Sequence, residues 1–77
     1  MKLVNLKIHQ RAVIKEVNLS EEHTRRLFHL GLFPGAIIRM ERIAPLKDPL
    51  EFYVCGNLII LRKADAACIE VNEEENP

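Results

Sequence analysis

Leu50-Glu51-Phe52-Tyr53-Val54-Cys55-Gly56-Asn57-Leu58-Ile59-Ile60-Leu61 is the stretch that decides the fold. Leu50, Phe52 and Val54 alternate with Glu51, Tyr53 and Cys55, the period-2 pattern of a strand with one face on a core and the other in solvent. Gly56-Asn57 then reads as a two-residue hairpin turn into a second strand, Leu58 to Leu61. Upstream, Ile37 to Ala44 reads as a strand with Ile38 and Met40 on one face. Ile43 falls out of phase, which predicts a bulge or bend near Arg42. Ala44-Pro45-Leu46-Lys47-Asp48-Pro49 joins the two as a turn, because prolines four apart do not fit a central strand. Downstream, Lys63 to Ala66 is a short helical turn at most, and Ala67 to Val71 closes the sheet.

The N-terminal half supplies one more strand and the one sizeable helix. Ala12 to Val17 is β-rich, with Ala12 and Ile14 on one face and Val13 and Val17 on the other, and Asn18-Leu19-Ser20 stops it. Glu21 to Leu30 reads as a helix capped by Ser20, with Glu21 and Glu22 at the positive end of its dipole. Gly31 suits the left-handed C′ position, with Leu32 packing back on Leu27 in a Schellman motif, and Pro34 forbids continuation. The apolar face is Leu27 and Leu30, with Phe28 beside them and read as core. So narrow a stripe caps a sheet rather than building a bundle. Five short strands with one inserted helix make a mainly β fold, a small five-stranded barrel with no exposed edges. Residues 1–71 form the one domain, and 72–77 a flexible acidic tail.

Seventy-seven residues allow one domain and little enclosed volume. A chain of this size buries only about 60% of its unfolded surface. The composition, 48% hydrophobic and 29% charged, is that of a folded globular domain. Eleven Lys and Arg balance eleven Asp and Glu, and without Glu73, Glu74 and Glu75 eleven cations face eight carboxylates. Neither balance gives the positive field that nucleic-acid binding needs. The N-terminus carries no apolar signal segment, and no run reaches the roughly 18 apolar residues of a membrane span. The expectation is a cytoplasmic protein not inserted in the membrane, with reduced thiols.

His9, His23, His29, Cys55 and Cys68 are the residues suited to a transition metal. Their spacing does not build a site: His23 and His29 are six apart, on different helix faces, and the cysteines form no CxxC. No resident metal or cofactor is expected; weak Fe²⁺ or Zn²⁺ binding, or a site assembled across a dimer, is left open. Ser20 is better used as a cap than as a nucleophile, no cysteine has a histidine close in sequence, and no glycine loop cradles phosphate. The chain is read as no enzyme. What remains is a protein surface. Arg25, Arg26 and His29 place donors on the helix beside Phe28 and Phe33, a mixed basic and apolar face suited to docking. Phe33, ahead of Pro34 in a loop, stands open between core and contact residue.

Taken together, Leu30-Gly31-Leu32-Phe33-Pro34-Gly35-Ala36, Ala44-Pro45-Leu46-Lys47-Asp48-Pro49, the run from Gly56 to Ala66 and Ile69-Glu70-Val71 resemble the successive signatures of the FeoA family, in its order and over nearly the whole chain. The resemblance implies an SH3-like barrel and a non-enzymatic accessory role in bacterial ferrous iron uptake. The implied partner is the cytoplasmic part of the membrane GTPase permease FeoB; the residues expected to meet it, from the reading of the helix face above, are Arg25, Arg26, His29, Phe33 and Pro34. Two positions depart from the family's pattern: His9-Gln10 stands where a Pro-Gly turn is usual, and Lys47 where glycine is usual. Lys47 is strained if that glycine serves a positive φ. A similar domain ends metal-dependent repressors of the diphtheria toxin repressor type. The alternative is therefore a metal-binding or metal-sensing regulatory module, disfavoured because the chain lacks such a repressor's helix-turn-helix. A monomer is expected, with weak self-association through the hairpin edge as the variant to test.

Overall fold

Ser20 opens the helix as its sequence demands: its Oγ accepts a hydrogen bond from the His23 N–H at 3.2 Å. The helix α1 runs Glu21–His29 in a computed structural model that describes residues 1–74. Its far end is the expected Schellman motif. Gly31 has φ +97°, and the Leu32 and Gly31 N–H groups donate to the Leu27 and Phe28 carbonyls at 2.9 and 3.0 Å.

Around this helix lie β1 (Arg11–Val17), β2 (Ile37–Ile43), β3 (Leu50–Val54), β4 (Asn57–Leu61) and β5 (Ile69–Glu73), with the one-turn helix α2 (Lys63–Ala66) between the last two. They form one antiparallel sheet in the order β4-β3-β2-β1-β5. Two bulges bend it. The β2–β3 register jumps between Met40 and Arg42, where Ile43 falls out of phase, and a second jump, between Ile14 and Glu16 of β1, leaves no mark on the hydrophobic pattern. Ile14, Ile38, Met40, Phe52, Ile69 and Val71 fill the concave side, each 1% exposed or less.

Three expectations are corrected. The β3–β4 turn is Cys55-Gly56, not Gly56-Asn57. Cys55 (φ 50°) and Gly56 (φ 79°) supply the two positive φ values of a type I′ turn, and Asn57 pairs with Val54 in the strand. Strand β5 continues to Glu73, so Asn72 and Glu73 pair with Val13 and Ala12 in the stretch read as tail, and Glu74 meets Arg11 Nε at 2.8 Å. The rest of that acidic tail, residues 75–77, lies outside the described residues. The barrel also keeps one edge. Among the described residues β3 is the sole strand paired with β4, whereas the outer side of β5 is covered by the N-terminal segment.

That segment carries no periodicity, yet a single 3-10 turn, Leu3–Asn5, buries Leu3 completely and Leu6 nearly so. Lys2 bridges Glu70 of β5. The Val71 N–H donates to the Met1 carbonyl at 2.8 Å, and the terminal ammonium to the Val71 carbonyl at 3.0 Å. Lys2 Nζ lies 2.8 Å from Glu70 Oε1. Their hydrogen bond holds the Lys2 ammonium above its ordinary pKa and the Glu70 carboxyl below its own. Lys47 has φ 66°, the left-handed conformation that the glycine of the related motif would take without strain.

Candidate docking surface

In a helix of nine residues laid on a sheet, one stripe is buried, and here it is Leu27, continued by Leu32 beyond the C-terminus. Phe28 is turned about 100° away from Leu27. It is 57% exposed, which corrects its reading as core. Leu30, read with Leu27, is 42% exposed: it is the C-cap, still right-handed (φ −89°, ψ −1°), and the chain turns away only at Gly31.

Phe28 packs on Phe33, ring centroids 5.2 Å apart at 45°, and meets the edge of His29 at 6.0 Å. Phe33 is half-buried against the core and Pro34 is exposed. Arg25 and His29 are exposed on the side of the helix that carries Phe28, Arg26 is exposed on the other side beside Glu22 and His23, and among the described residues neither arginine makes an ion pair. The five positions read from the sequence thus fall on one helix end and its following loop. Phe28 is the aromatic that the hydrophobic stripe misassigned.

The backbone under this surface is fixed from three sides. Asn57 Nδ2 donates to the Leu30 carbonyl at 2.8 Å, and the Cys55 thiol to the Gly31 carbonyl at 3.3 Å. The chain following Pro34 is tied to β1, where the Gly35 N–H donates to the Ile14 carbonyl at 2.8 Å and the Ile14 N–H to the Ala36 carbonyl at 2.9 Å. Gly31 is required twice over, by its φ and by space: a Cβ there would lie 2.7 Å from Cys55 Cβ. A backbone held in this way has no loop left to order, whatever it contacts.

The metal-suited residues are not brought together. Among the described residues no group of three or more His, Cys, Asp or Glu is placed to hold an ion. His23 Nε2 lies 3.9 Å from Asp65 Oδ2 across a shallow groove beside Arg26, the Cys68 thiol faces the Ala64 carbonyl at 3.5 Å, and both cysteines are free thiols. No described helix is long and apolar enough to cross a membrane.

The strand order, the helix between β1 and β2 and the short turn before β5 define a small SH3-like domain. A sequence profile of the FeoA domain matches residues 1–73, and the chain belongs to that family. FeoA from Chlorobium tepidum superposes with a TM-score of 0.92 at 40% identity, covering 95% of this chain and 70% of that one. FeoA from Stenotrophomonas maltophilia, solved with zinc and described as an SH3 domain protein, superposes with a TM-score of 0.77 at 32% identity, covering 94% and 89%. The chain is also 34% identical over 71 residues to the Fe(2+) transport protein A/Fe(2+) transporter FeoB fusion protein of Porphyromonas gingivalis. That match covers 92% of this chain and about 8% of the length of that relative.

Proposed function

We propose that this domain is a non-enzymatic accessory protein of bacterial ferrous iron uptake that works in the cytoplasm by docking on the GTPase portion of a FeoB-type permease. The family's link to ferrous iron transport supports the process, and the fusion in Porphyromonas gingivalis supports the partner, since one chain there carries both proteins. The observation that carries the docking reading is the exposed Phe28 on Phe33, flanked by His29 and by Arg25 on the same side of the helix, on a pinned backbone. An exposed aromatic anchor beside basic side chains is what hot-spot residues look like, with Arg25 steering an acidic counterpart and the phenyl ring supplying the area removed from water.

The test is an NMR titration of labelled protein with the cytoplasmic GTPase portion of the permease, at low and moderate salt, with Fe²⁺ and Zn²⁺ added alone in separate arms. Shifts clustered from Arg25 to Pro34 with the GTPase are expected. Phe28→Ala should cost about 2 kcal/mol of binding, and Arg25→Glu should weaken it more at low salt than at high. Shifts that appear only with metal, at His9, His23, His29, Cys55 or Cys68, would replace docking with metal sensing.

A further inference from the structure

The two ends of the sheet are finished differently. Strand β5 is covered by Met1 and Lys2. Strand β4 has β3 on one side and no strand on the other among the described residues. The devices that ordinarily protect an edge are missing from it: Asn57-Leu58-Ile59-Ile60-Leu61 holds no charge, proline, glycine or bulge.

The hairpin fixes which groups are left over. A two-residue turn makes Val54 and Asn57 a hydrogen-bonded pair, so Asn57, Ile59 and Leu61 turn their main-chain groups toward β3, and Leu58 and Ile60 turn theirs outward. The same two residues carry the exposed side chains, Leu58 at 49% and Ile60 at 60%, while Ile59 and Leu61 are buried. Tyr53, opposite Leu58 on β3, is 40% exposed and continues the apolar strip. Free donors, free acceptors and apolar surface therefore coincide on two residues placed symmetrically about Ile59.

We infer that the free edge of β4 pairs antiparallel with β4 of a second copy of this chain, about a two-fold axis at Ile59. That register sets Leu58 opposite Ile60 of the other copy and Ile60 opposite Leu58. All the outward N–H and C=O groups of both residues then find partners, and the four side chains gather into one apolar strip flanked by both Tyr53 rings. A slip of one residue faces the outward groups of one copy with the inward-bonded groups of the other, so the register is self-selecting. The occupant is a second copy because the edge is complementary to itself and uncharged, and because eleven cations against eleven carboxylates leave no net charge to hold two copies apart. A contact built on five residues a side is smaller than a standard stable interface, so the pair is a weak dimer with a dissociation constant on the order of 100 μM. The inference does not depend on the docking reading, which concerns the end of α1.

The test is sedimentation and amide hydrogen exchange of the full chain from about 20 μM to 1 mM, a range chosen to bracket that constant. The expected result is an average mass that climbs from 8.9 kDa toward twice that value, with the Leu58 and Ile60 amides gaining protection as concentration rises. Ile60→Lys puts a like charge at the centre of the pair and should weaken association at least about tenfold. Leu58→Pro removes an outward N–H while sparing the bonds to β3, and should abolish association. The spectrum of the monomer, which reads folding, distinguishes a blocked edge from an unfolded variant. A mass constant at 8.9 kDa throughout, or association unchanged in Ile60→Lys, overturns the inference. So does protection of Leu58 and Ile60 that requires the permease GTPase, since the edge would then serve another chain.

Discussion

Gly31→Ala tests the joint between helix and hairpin most directly. An alanine there must hold φ near +97°, which costs roughly 1–2 kcal/mol for a residue with a Cβ. Its Cβ must also find room 2.7 Å from Cys55 Cβ and 3.3 Å from Cys55 Sγ. The nearer atom belongs to no flexible side-chain end, so either the hairpin or the helix end shifts, at an overpacking cost of about 1–3 kcal/mol. The expected loss is therefore about 2–5 kcal/mol, from a domain whose total stability is on the order of 4–12 kcal/mol. Urea unfolding at 25 °C measures it, with an unchanged m-value as the check that both states keep their exposed surface. Gly35→Ala is the reference: φ is +96°, and nothing lies within 4 Å of the added Cβ, so only the backbone cost applies. Cys55→Gly removes the opposing Cβ, and in a double-mutant cycle it should recover the packing part of the Gly31→Ala loss. Equal losses from Gly31→Ala and Gly35→Ala, with no coupling to Cys55, would refute the reasoning.

The remaining expectations concern single contacts. Ser20→Ala should cost about 1 kcal/mol by leaving the His23 N–H without its acceptor, read from the urea midpoint. Lys47→Gly should stabilise by about 0.5 kcal/mol, because relief of φ 66° exceeds the entropy glycine adds to the unfolded chain. The Glu70 carboxyl, held down by its hydrogen bond to Lys2, contributes stability that is present above its unfolded pKa of about 4.3 and is lost as pH falls through its lower folded value. Lys2, held up by the same bond, contributes below about pH 10.4 and loses that contribution as pH rises through its folded value. Glu70→Gln should therefore lower the urea midpoint at neutral pH and converge with the parent protein at both extremes of pH.

Local chemistry made much of this legible. Alternation in Leu50 to Val54 gives β3 and its buried face, the out-of-phase Ile43 gives the bulge, and Ser20 and Gly31 bound the helix because caps are decided by neighbours along the chain. What escaped depends on distant partners. Asn57 looks like a turn residue beside Gly56, but it joins the strand and spends its side chain on the Leu30 carbonyl, 27 residues away. Leu3 and Leu6 lie in a segment with no period, and only the sheet they fill reveals them as core. Phe28 shows the limit for the docking surface: its hydrophobicity points inward, and only the geometry of a short helix over a sheet turns it out. The exposure of the two arginines on the same helix was readable because charge on a helix needs no tertiary knowledge to stay in solvent.

The contact between Asn57 Nδ2 and the Leu30 carbonyl bears on how the two surfaces are separated by experiment. It ties the first residue of β4 to the cap of α1, so the edge inferred to pair with a second copy begins where the helix end proposed for docking stops. Asn57→Ala frees both at once and discriminates nothing. Arg25→Glu and Ile60→Lys each change one surface, since Arg25 lies on α1 and Ile60 on the far half of β4. If the two surfaces act separately, Arg25→Glu leaves self-association untouched and Ile60→Lys leaves permease binding untouched. If dimerisation crowds the helix end, Ile60→Lys strengthens permease binding at high protein concentration by releasing monomer, and the gain vanishes on dilution.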